Sequence, residues 1–464
     1  MKCGSTAKKP SIRYIALAEA AKSLTFIEQT ANLPVATSLS RPQLDWRLRT
    51  HFPDNLDLLS ELNTKRYRLQ RRLIGRTYHA SNVAKYEHAI DDVVNRAVTK
   101  LVSLQGQELD LKEWMHIIVV ECLGAAVLSW SPGLLKDGTD WGTIEHSYRG
   151  WRRKSVFGLF PIMIKMELLS SDVGRAFAAL CGVTYKTPDN FRPFFPDFID
   201  AGQDVTRRVS RRVKAALRAN PPKDSRLDLL ADLIQLQKDK PEFNELYLRK
   251  MAVTNFGAGH ETMASTLTST LAMVGTHPQV QRRVADEIRS TSKPTPYADA
   301  AKMAYTRATI KEAMRLYPVV SMALPRKAPA GGLQVDQHWF PPNTTVGCNP
   351  VALHRNSSIF GSDAACFDPG RWLGAEAGAE ARLRAMDRYN LGWGGGSRSC
   401  PGRNLAELVV FKVVTGLLRH FDVEVTEMPP EEEQRAYFLS MLTGVRVRFL
   451  PAGEDSAKTD LASD

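Results

Sequence analysis

Cys400 is the residue around which chemistry can be built. It follows Trp393-Gly394-Gly395-Gly396-Ser397-Arg398-Ser399 and precedes Pro401-Gly402-Arg403-Asn404. The three glycines give a backbone free to take positive φ and to lie against a flat ligand. Just beyond, Leu405, Leu408, Val409, Val413 and Leu417 recur at helical spacing, so the cysteine stands at a helix start. A thiolate there gains from the helix dipole and from free N–H groups, and its pKa falls. Arg398, two residues away, adds positive charge and can pair with an acidic group of a cofactor. These are the requirements of an anionic sulfur ligand to iron. The competing reading is a glycine-rich turn that contains a buried cysteine.

A second candidate lies on a long helix. From Asn244, an N-cap residue type, to Thr276 no proline interrupts the pattern, which ends before His277-Pro278. At about 1.5 Å per residue that is on the order of 50 Å, enough to traverse a domain. Its middle reads Phe256-Gly257-Ala258-Gly259-His260-Glu261-Thr262. Two glycines inside a helix cost roughly 1 kcal/mol each. Either something approaches the backbone there, or a helix–helix crossing needs small residues. Thr262 alone has a bland reading too, a hydroxyl bonded back to the previous turn. Farther on, Glu312 and Arg315 lie three apart in Lys311-Glu312-Ala313-Met314-Arg315-Leu316-Tyr317-Pro318. On an exposed helix such a pair is worth a few tenths of a kcal/mol.

The elements that must position these residues are mostly helices. Apolar spacings of three and four run through most of the first 290 residues, and loop signals fall at 131–133, 186–190, 220–222, 292–296 and 374–378. Short extended pieces are expected at 332–335, 338–340, 344–347 and 445–450. The fold class is therefore mainly α with small β-sheets. The chain has 464 residues, of which 43% are hydrophobic, ample for a sizeable core. Its six cysteines are scattered without a CxxC pair, which excludes a disulfide scaffold and leaves a zinc reading unsupported. The net charge is +12, with dense basic runs at 65–72 and 207–214. Neither run carries the aromatic interleaving or motif of a nucleic-acid binder, so no nucleic-acid partner is expected. Solvated helix faces or a dock for an acidic protein remain. No secretory signal is visible, and the apolar stretches 117–130 and 156–164 are too short to span a membrane.

The run from Trp393 to Ala406 resembles the heme-binding loop of the cytochrome P-450 superfamily, Phe-x-x-Gly-x-Arg-x-Cys-x-Gly. Gly396, Arg398, Cys400, Gly402 and Ala406 fall in register, with Trp393 in place of phenylalanine. The run Ala258-Gly259-His260-Glu261-Thr262 resembles the family's oxygen-activation segment, and Met263 replaces the hydroxyl residue common next. The Glu312 and Arg315 pair resembles the Glu-x-x-Arg helix, joined by Arg371 of Phe367-Asp368-Pro369-Gly370-Arg371-Trp372. The likeness covers roughly residues 64–450, and its phrasing at 257–276 and 352–356 is most like filamentous-fungal members, many of them in secondary-metabolite pathways.

That resemblance implies a cytochrome P-450 fold with a long central helix over the heme. It implies heme b (iron protoporphyrin IX) ligated by Cys400, with Gly396, Trp393, Ala258 and Gly259 beside it. Arg398, Arg326 and Arg71 would meet the propionates, with Tyr67 where Trp or His is usual. Glu261 and Thr262 would orient water and relay protons to O2. Glu312, Arg315 and Arg371 would be buried and structural. The implied activity is insertion of one oxygen atom from O2 into a small, mostly apolar organic substrate, with electrons from a separate NADPH-cytochrome P-450 reductase. The pocket would be lined by residues 151–170, the loop before Thr64 and Val319-Val320-Ser321-Met322-Ala323.

Residues 1–63 fit the family poorly and read as an atypical or truncated region without a membrane anchor. Residues 64–452 read as the heme domain, and 453–464 as a disordered tail. The family's usual place is the cytosolic side of the endoplasmic reticulum; the cytoplasm is expected if the chain as written is complete. Two alternatives stand beside the monooxygenase: a reductase-independent heme-thiolate isomerase or peroxygenase, and a non-catalytic or defective heme-binding product of a truncated gene.

Overall fold

In the computed structural model the described residues are 58, 61, 63–144, 205–218, 226–291, 294–323, 326–335, 338–374, 378–431 and 438–452. Among them ten longer helices form the body: α1 (Thr64–Ile74), α2 (Glu87–Ser103), α3 (Leu111–Leu128), α4 (Val205–Ala216), α5 (Leu229–Asp239), α6 (Glu245–Gly275), α7 (Pro278–Arg289), α8 (Ala304–Leu316), α9 (Ala379–Tyr389) and α10 (Arg403–His420). Seven short strands accompany them: β1 (Leu109–Asp110), β2 (Arg326–Lys327), β3 (Leu333–Val335), β4 (His338–Phe340), β5 (Thr345–Val346), β6 (Phe421–Glu427) and β7 (Arg446–Pro451). All pair antiparallel, in a three-stranded sheet β1-β7-β6 and two hairpin-like pairs, β2-β5 and β3-β4. The mainly helical architecture with small sheets is as expected.

The central helix begins and ends where its sequence signals lie. The Asn244 side chain accepts the Tyr247 N–H at 2.9 Å, which satisfies one of the donors a helix start leaves open. The helix stops at Gly275, just before His277-Pro278. It packs against α3, α8 and α10, so almost every face of its C-terminal half is buried. Hydroxyls survive there because each is satisfied within the helix: Thr266, Thr268 and Thr270 donate to the carbonyls of Thr262, Ala264 and Thr266 one turn earlier.

α3 is the other fully interior helix. Asp110 caps it by accepting the Glu113 N–H at 3.0 Å, and Ile117, Ile118, Val119 and Val120 are at most 1% exposed. The apolar stretch at 117–130 is thus a core helix. No helix among the described residues is long and apolar enough to cross a membrane. The expected pocket segment 151–170, nearly all of 1–63 and the tail 453–464 lie outside the described residues.

Candidate active site

The cysteine loop is held by its own backbone. Cys400 N–H donates to Trp393 O at 2.8 Å and Gly394 N–H to Leu391 O at 2.8 Å. This hairpin path needs φ of +73° at Gly394 and +55° at Gly396, a region that side chains other than glycine's enter only with strain. α10 follows three residues after the cysteine. Cys400 keeps exposed surface although protein atoms crowd it. Burial pushes its thiol up; the Gly402 and Arg403 N–H groups and the Arg71 and Arg403 charges oppose this without overcoming it. The expectation that the helix start alone would lower this pKa is therefore corrected: desolvation outweighs the dipole, and a bound metal ion is what makes such a sulfur anionic.

Three arginines converge beside the loop. α1 docks on it through the Tyr67 hydroxyl, which donates to Ser397 O at 2.8 Å, and through Arg71 Nη1, which donates to Ser399 O at 3.0 Å. Arg71 is thus bonded to the loop rather than standing on a purely solvated face. Arg398 lies over the Tyr67 ring, 3.6 Å from its centroid, and its Nη2 donates to Glu61 O at 3.0 Å. Its Nη1 is buried with no hydrogen-bond partner among the described residues. Burial, then repulsion by Arg398, lowers Arg326 to about 10. The Glu61 carboxylate nearby is already engaged by Arg66 at 2.6 Å. A surplus of cations with an orphaned guanidinium nitrogen suits a cofactor that brings two carboxylates, as heme does.

Midway along the central helix an accessible stripe precedes its buried C-terminal half. Thr254, Gly257 and Ala258 are exposed and Thr262 partly so; 254, 258 and 262 are spaced by four and share one face. Thr262 Oγ1 donates to Ala258 O at 2.7 Å. The two glycines divide the two readings between them. A Cβ at Gly257 would meet nothing within 4 Å, whereas one at Gly259 would press at 3.3 Å on Leu123 of α3. Gly259, expected beside the cofactor, thus gives its side-chain space to a helix crossing. Glu261 also departs from expectation: it is 2% exposed, and it acts electrostatically on Lys112 of α3. One residue is about 100° of helical rotation, so Glu261 and Thr262 look out of different faces.

Tyr78, which the sequence did not single out, joins this helix to the cysteine helix. Its hydroxyl donates to Asn255 Oδ1 at 3.0 Å, and its carbonyl accepts from Asn404 Nδ2 at 2.8 Å. The wall segment 319–323 is fixed by an isolated Val320–Leu439 bridge and by Ser440 N–H donating to Val319 O at 2.8 Å.

The Glu312, Arg315 and Arg371 side chains form one buried ionic cluster, at 0%, 0% and 4% exposed. Arg315 also donates to the carbonyls of His354, Ala364 and Cys366, and Arg371 to those of Phe360, Asp363 and Cys366. His354 then connects the cluster to the cysteine loop. Its Nε2 accepts the Leu391 N–H at 2.8 Å. Its Nδ1 therefore carries the proton and donates to Arg315 O at 3.0 Å. Burial lowers this histidine from 6.5 to about 4.

The sign of the pH effect follows. The unfolded chain takes up the proton near pH 6.5 and the folded one only near 4, so this group's contribution is full above about 6.5 and is lost as pH falls toward 4. Thermal melts are expected to drop across that window, and His354→Asn, less stable at neutral pH, is expected to show a shallower drop.

The cytochrome P-450 family model matches residues 39–447. A cytochrome P-450 monooxygenase, sdnT of Sordaria araneosa, is 56% identical over 446 residues, covering 90% of this chain and 78% of that protein. A pisatin demethylase of Fusarium vanettenii is 26% identical over 83% of this chain and 72% of its own. A crystal structure of a cytochrome P-450 shares the fold with a TM-score of 0.63 at 17% identity, over 92% of this chain and 91% of that one. Loop, cations and central helix together with these likenesses place the chain in the cytochrome P-450 family, with heme as its cofactor and monooxygenation as its class of reaction.

Proposed function

We propose that this monooxygenase inserts one oxygen atom of O2 into a C–H or C=C bond of a small, mostly apolar molecule in fungal secondary-metabolite biosynthesis. The observation that carries the reading is the accessible stripe of Thr254, Gly257, Ala258 and Thr262 on a helix packed against the one that follows Cys400. O2, an electron-donating partner and a small organic substrate come with the family. The finer reading names that partner as the NADPH-cytochrome P-450 reductase, at the cytosolic face of the endoplasmic reticulum. The exposed basic residues Lys65, Arg68, Arg72, Arg76 and Arg403 near the cysteine side favour an acidic protein partner there.

Heme, when bound, supplies O2 activation, and a thiolate ligand favours O–O cleavage. Cys400 Sγ would ligate the iron. Arg398, Arg326 and Arg71, with Tyr67, would hold the propionates, and Trp393, Gly396 and Ala258 would lie along the ring. Because the Thr262 hydroxyl proton is committed to Ala258 O, its oxygen is left to accept from a proton-bearing water on the stripe. Glu261 would hold the next proton, reaching Thr262 by rotation of its side chain or through water.

With reductase, NADPH and O2, the expected product is the substrate heavier by one oxygen atom. Glu261→Gln is expected to cut its formation by roughly 10²-fold, the order of a lost acid–base group. NADPH consumption should persist and peroxide should appear in place of product. Unchanged coupling in that variant would remove Glu261 from the reading.

A further inference from the structure

We propose that His116 and Asp140, on α3 and the turn beyond it, form a buried supply route that brings protons to Glu261. The inference rests on the reading of Glu261 as a proton-holding group. Glu261 is 2% exposed and faces α3 rather than the accessible stripe, so bulk water does not reprotonate it directly. Other groups must do so.

The groups that face it lie in one row. His260 Nε2 is 3.9 Å from Glu261 Oε1, and its Nδ1 bonds to Phe256 O at 2.7 Å. Lys112 Nζ donates to Ser265 Oγ, one turn beyond Glu261. Burial lowers this ammonium to about 8, while Glu261 and then Asp110 support its charge. His116 is one turn after Lys112 on the same face of α3. Its ring meets the His260 ring edge-on, with centroids 5.3 Å apart. His116 Nδ1 lies 3.2 Å from Asp140 Oδ2, close but not aligned as a hydrogen bond, and its Nε2 has no hydrogen-bond partner among the described residues.

Asp140 is 2% exposed and locked in place, accepting the Gly142 and Ile144 N–H groups at 2.8 and 2.9 Å. Burial alone would raise its carboxyl, but His116 and those N–H groups hold it below the usual range. Glu113, the other carboxylate here, accepts from Thr139 Oγ1 and from Asp140 N–H. Trp141 and Gly142 of the same turn are partly exposed. The row therefore runs from a turn that touches water to a carboxylate that does not.

An unsatisfied buried polar group costs about 1–3 kcal/mol. The next turn of α3, Ile117–Val120, is wholly apolar, so the helix packs well without such groups. A bridging water between His116 and His260 would satisfy the open nitrogen, since a buried water needs two to four polar partners. The transfer then balances. A hydronium ion reaching the partly exposed Trp141–Gly142 turn gives a proton to His116 Nδ1 beside the Asp140 carboxylate and leaves as water, while His116 releases its Nε2 proton, through water or His260 Nε2, to the Glu261 carboxylate. At each imidazole one N–H bond forms and one breaks, and no electrons change hands. These residues act through Glu261 and not on the substrate.

The test uses the full chain with heme, an NADPH-dependent reductase and O2 alone, and reads the share of consumed O2 released as hydrogen peroxide. His116→Gln and Asp140→Asn are both made, so that the test survives the misfolding of one; an unchanged carbon monoxide spectrum identifies the variant to be read. The expected result is a several-fold rise in the peroxide share, toward that of Glu261→Gln, with a changed solvent isotope effect. A second readout needs no turnover: deuterium uptake at the imidazole C2 positions of the resting protein. His116 is expected to exchange despite its burial, and more slowly in Asp140→Asn. Wild-type peroxide release in both folded variants, with Glu261→Gln altered, overturns the route but spares the reading of Glu261. No change in Glu261→Gln removes both. A His116 that stays protected in the resting protein also overturns the route.

Discussion

Replacing Cys400 by serine is expected to abolish the strongly red-shifted Soret band of the reduced, carbon monoxide-bound protein. The substitution exchanges sulfur for oxygen and leaves the loop's supports in place. The bond from residue 400 N–H to Trp393 O is made by the backbone, and so are the positive-φ turns at Gly394 and Gly396. The loss is therefore electronic. Desolvation already keeps the Cys400 thiol from ionising unaided; a serine hydroxyl is a far weaker acid, and the soft thiolate that pushes electron density toward iron is gone. Thermal melting of the heme-free protein, measured alongside, is expected to change little, by about 1 kcal/mol or less, as for substitutions that leave packing intact. Turnover with reductase and NADPH should disappear together with the band. A retained red-shifted band would mean that another residue ligates the iron, and the assignment of Cys400 would fall.

What the sequence disclosed and what it hid divide along physical lines. Local signals carried far. Asn244 and His277-Pro278 bracket the central helix to within a residue, and the strands 333–335 and 338–340 lie inside their expected pieces. The glycines before Cys400 announced a backbone that other residues could not follow. Direction around the central helix was hidden, because a helix packed on almost every side shows no polar stripe from which its faces can be read. The linear resemblance puts Gly259 and Glu261 with Thr262, although Leu123 and Lys112 claim them. The strand Phe421–Glu427 alternates cleanly but follows α10 directly, with no turn residue to mark it. His354 works through both ring nitrogens on backbone groups far away in the chain, which no local pattern encodes.

Glu312→Gln is expected to cost about 3–5 kcal/mol, the range for breaking a buried ion pair from one side, and to lower the yield of folded, heme-competent protein. The Glu312 carboxylate accepts from five donors: Arg315 Nε and Nη2, Arg371 Nε, the Trp372 indole N–H and the Asp368 backbone N–H, at 2.8–3.1 Å. Glutamine keeps the shape but replaces one acceptor oxygen with an amide donor, which then faces guanidinium or indole N–H groups. It also removes the charge shared by two guanidiniums with almost no exposure, leaving Arg315 without a carboxylate and Arg371 with Asp363 alone. The damage should travel beyond the cluster. Arg315 holds the carbonyls at 354, 364 and 366, and His354 passes that order to Leu391 and so to the turn before Cys400. A merely local defect would lower the melting temperature and leave the carbon monoxide spectrum of the surviving folded protein normal. The connected path predicts more: the surviving protein should show a smaller red-shifted band, with part of the absorbance moved toward that of a neutral thiol ligand. Equal melting temperatures for Glu312→Gln and the parent would mean that the cluster carries little of the fold's stability, and the path from α8 to the cysteine loop would lose its anchor.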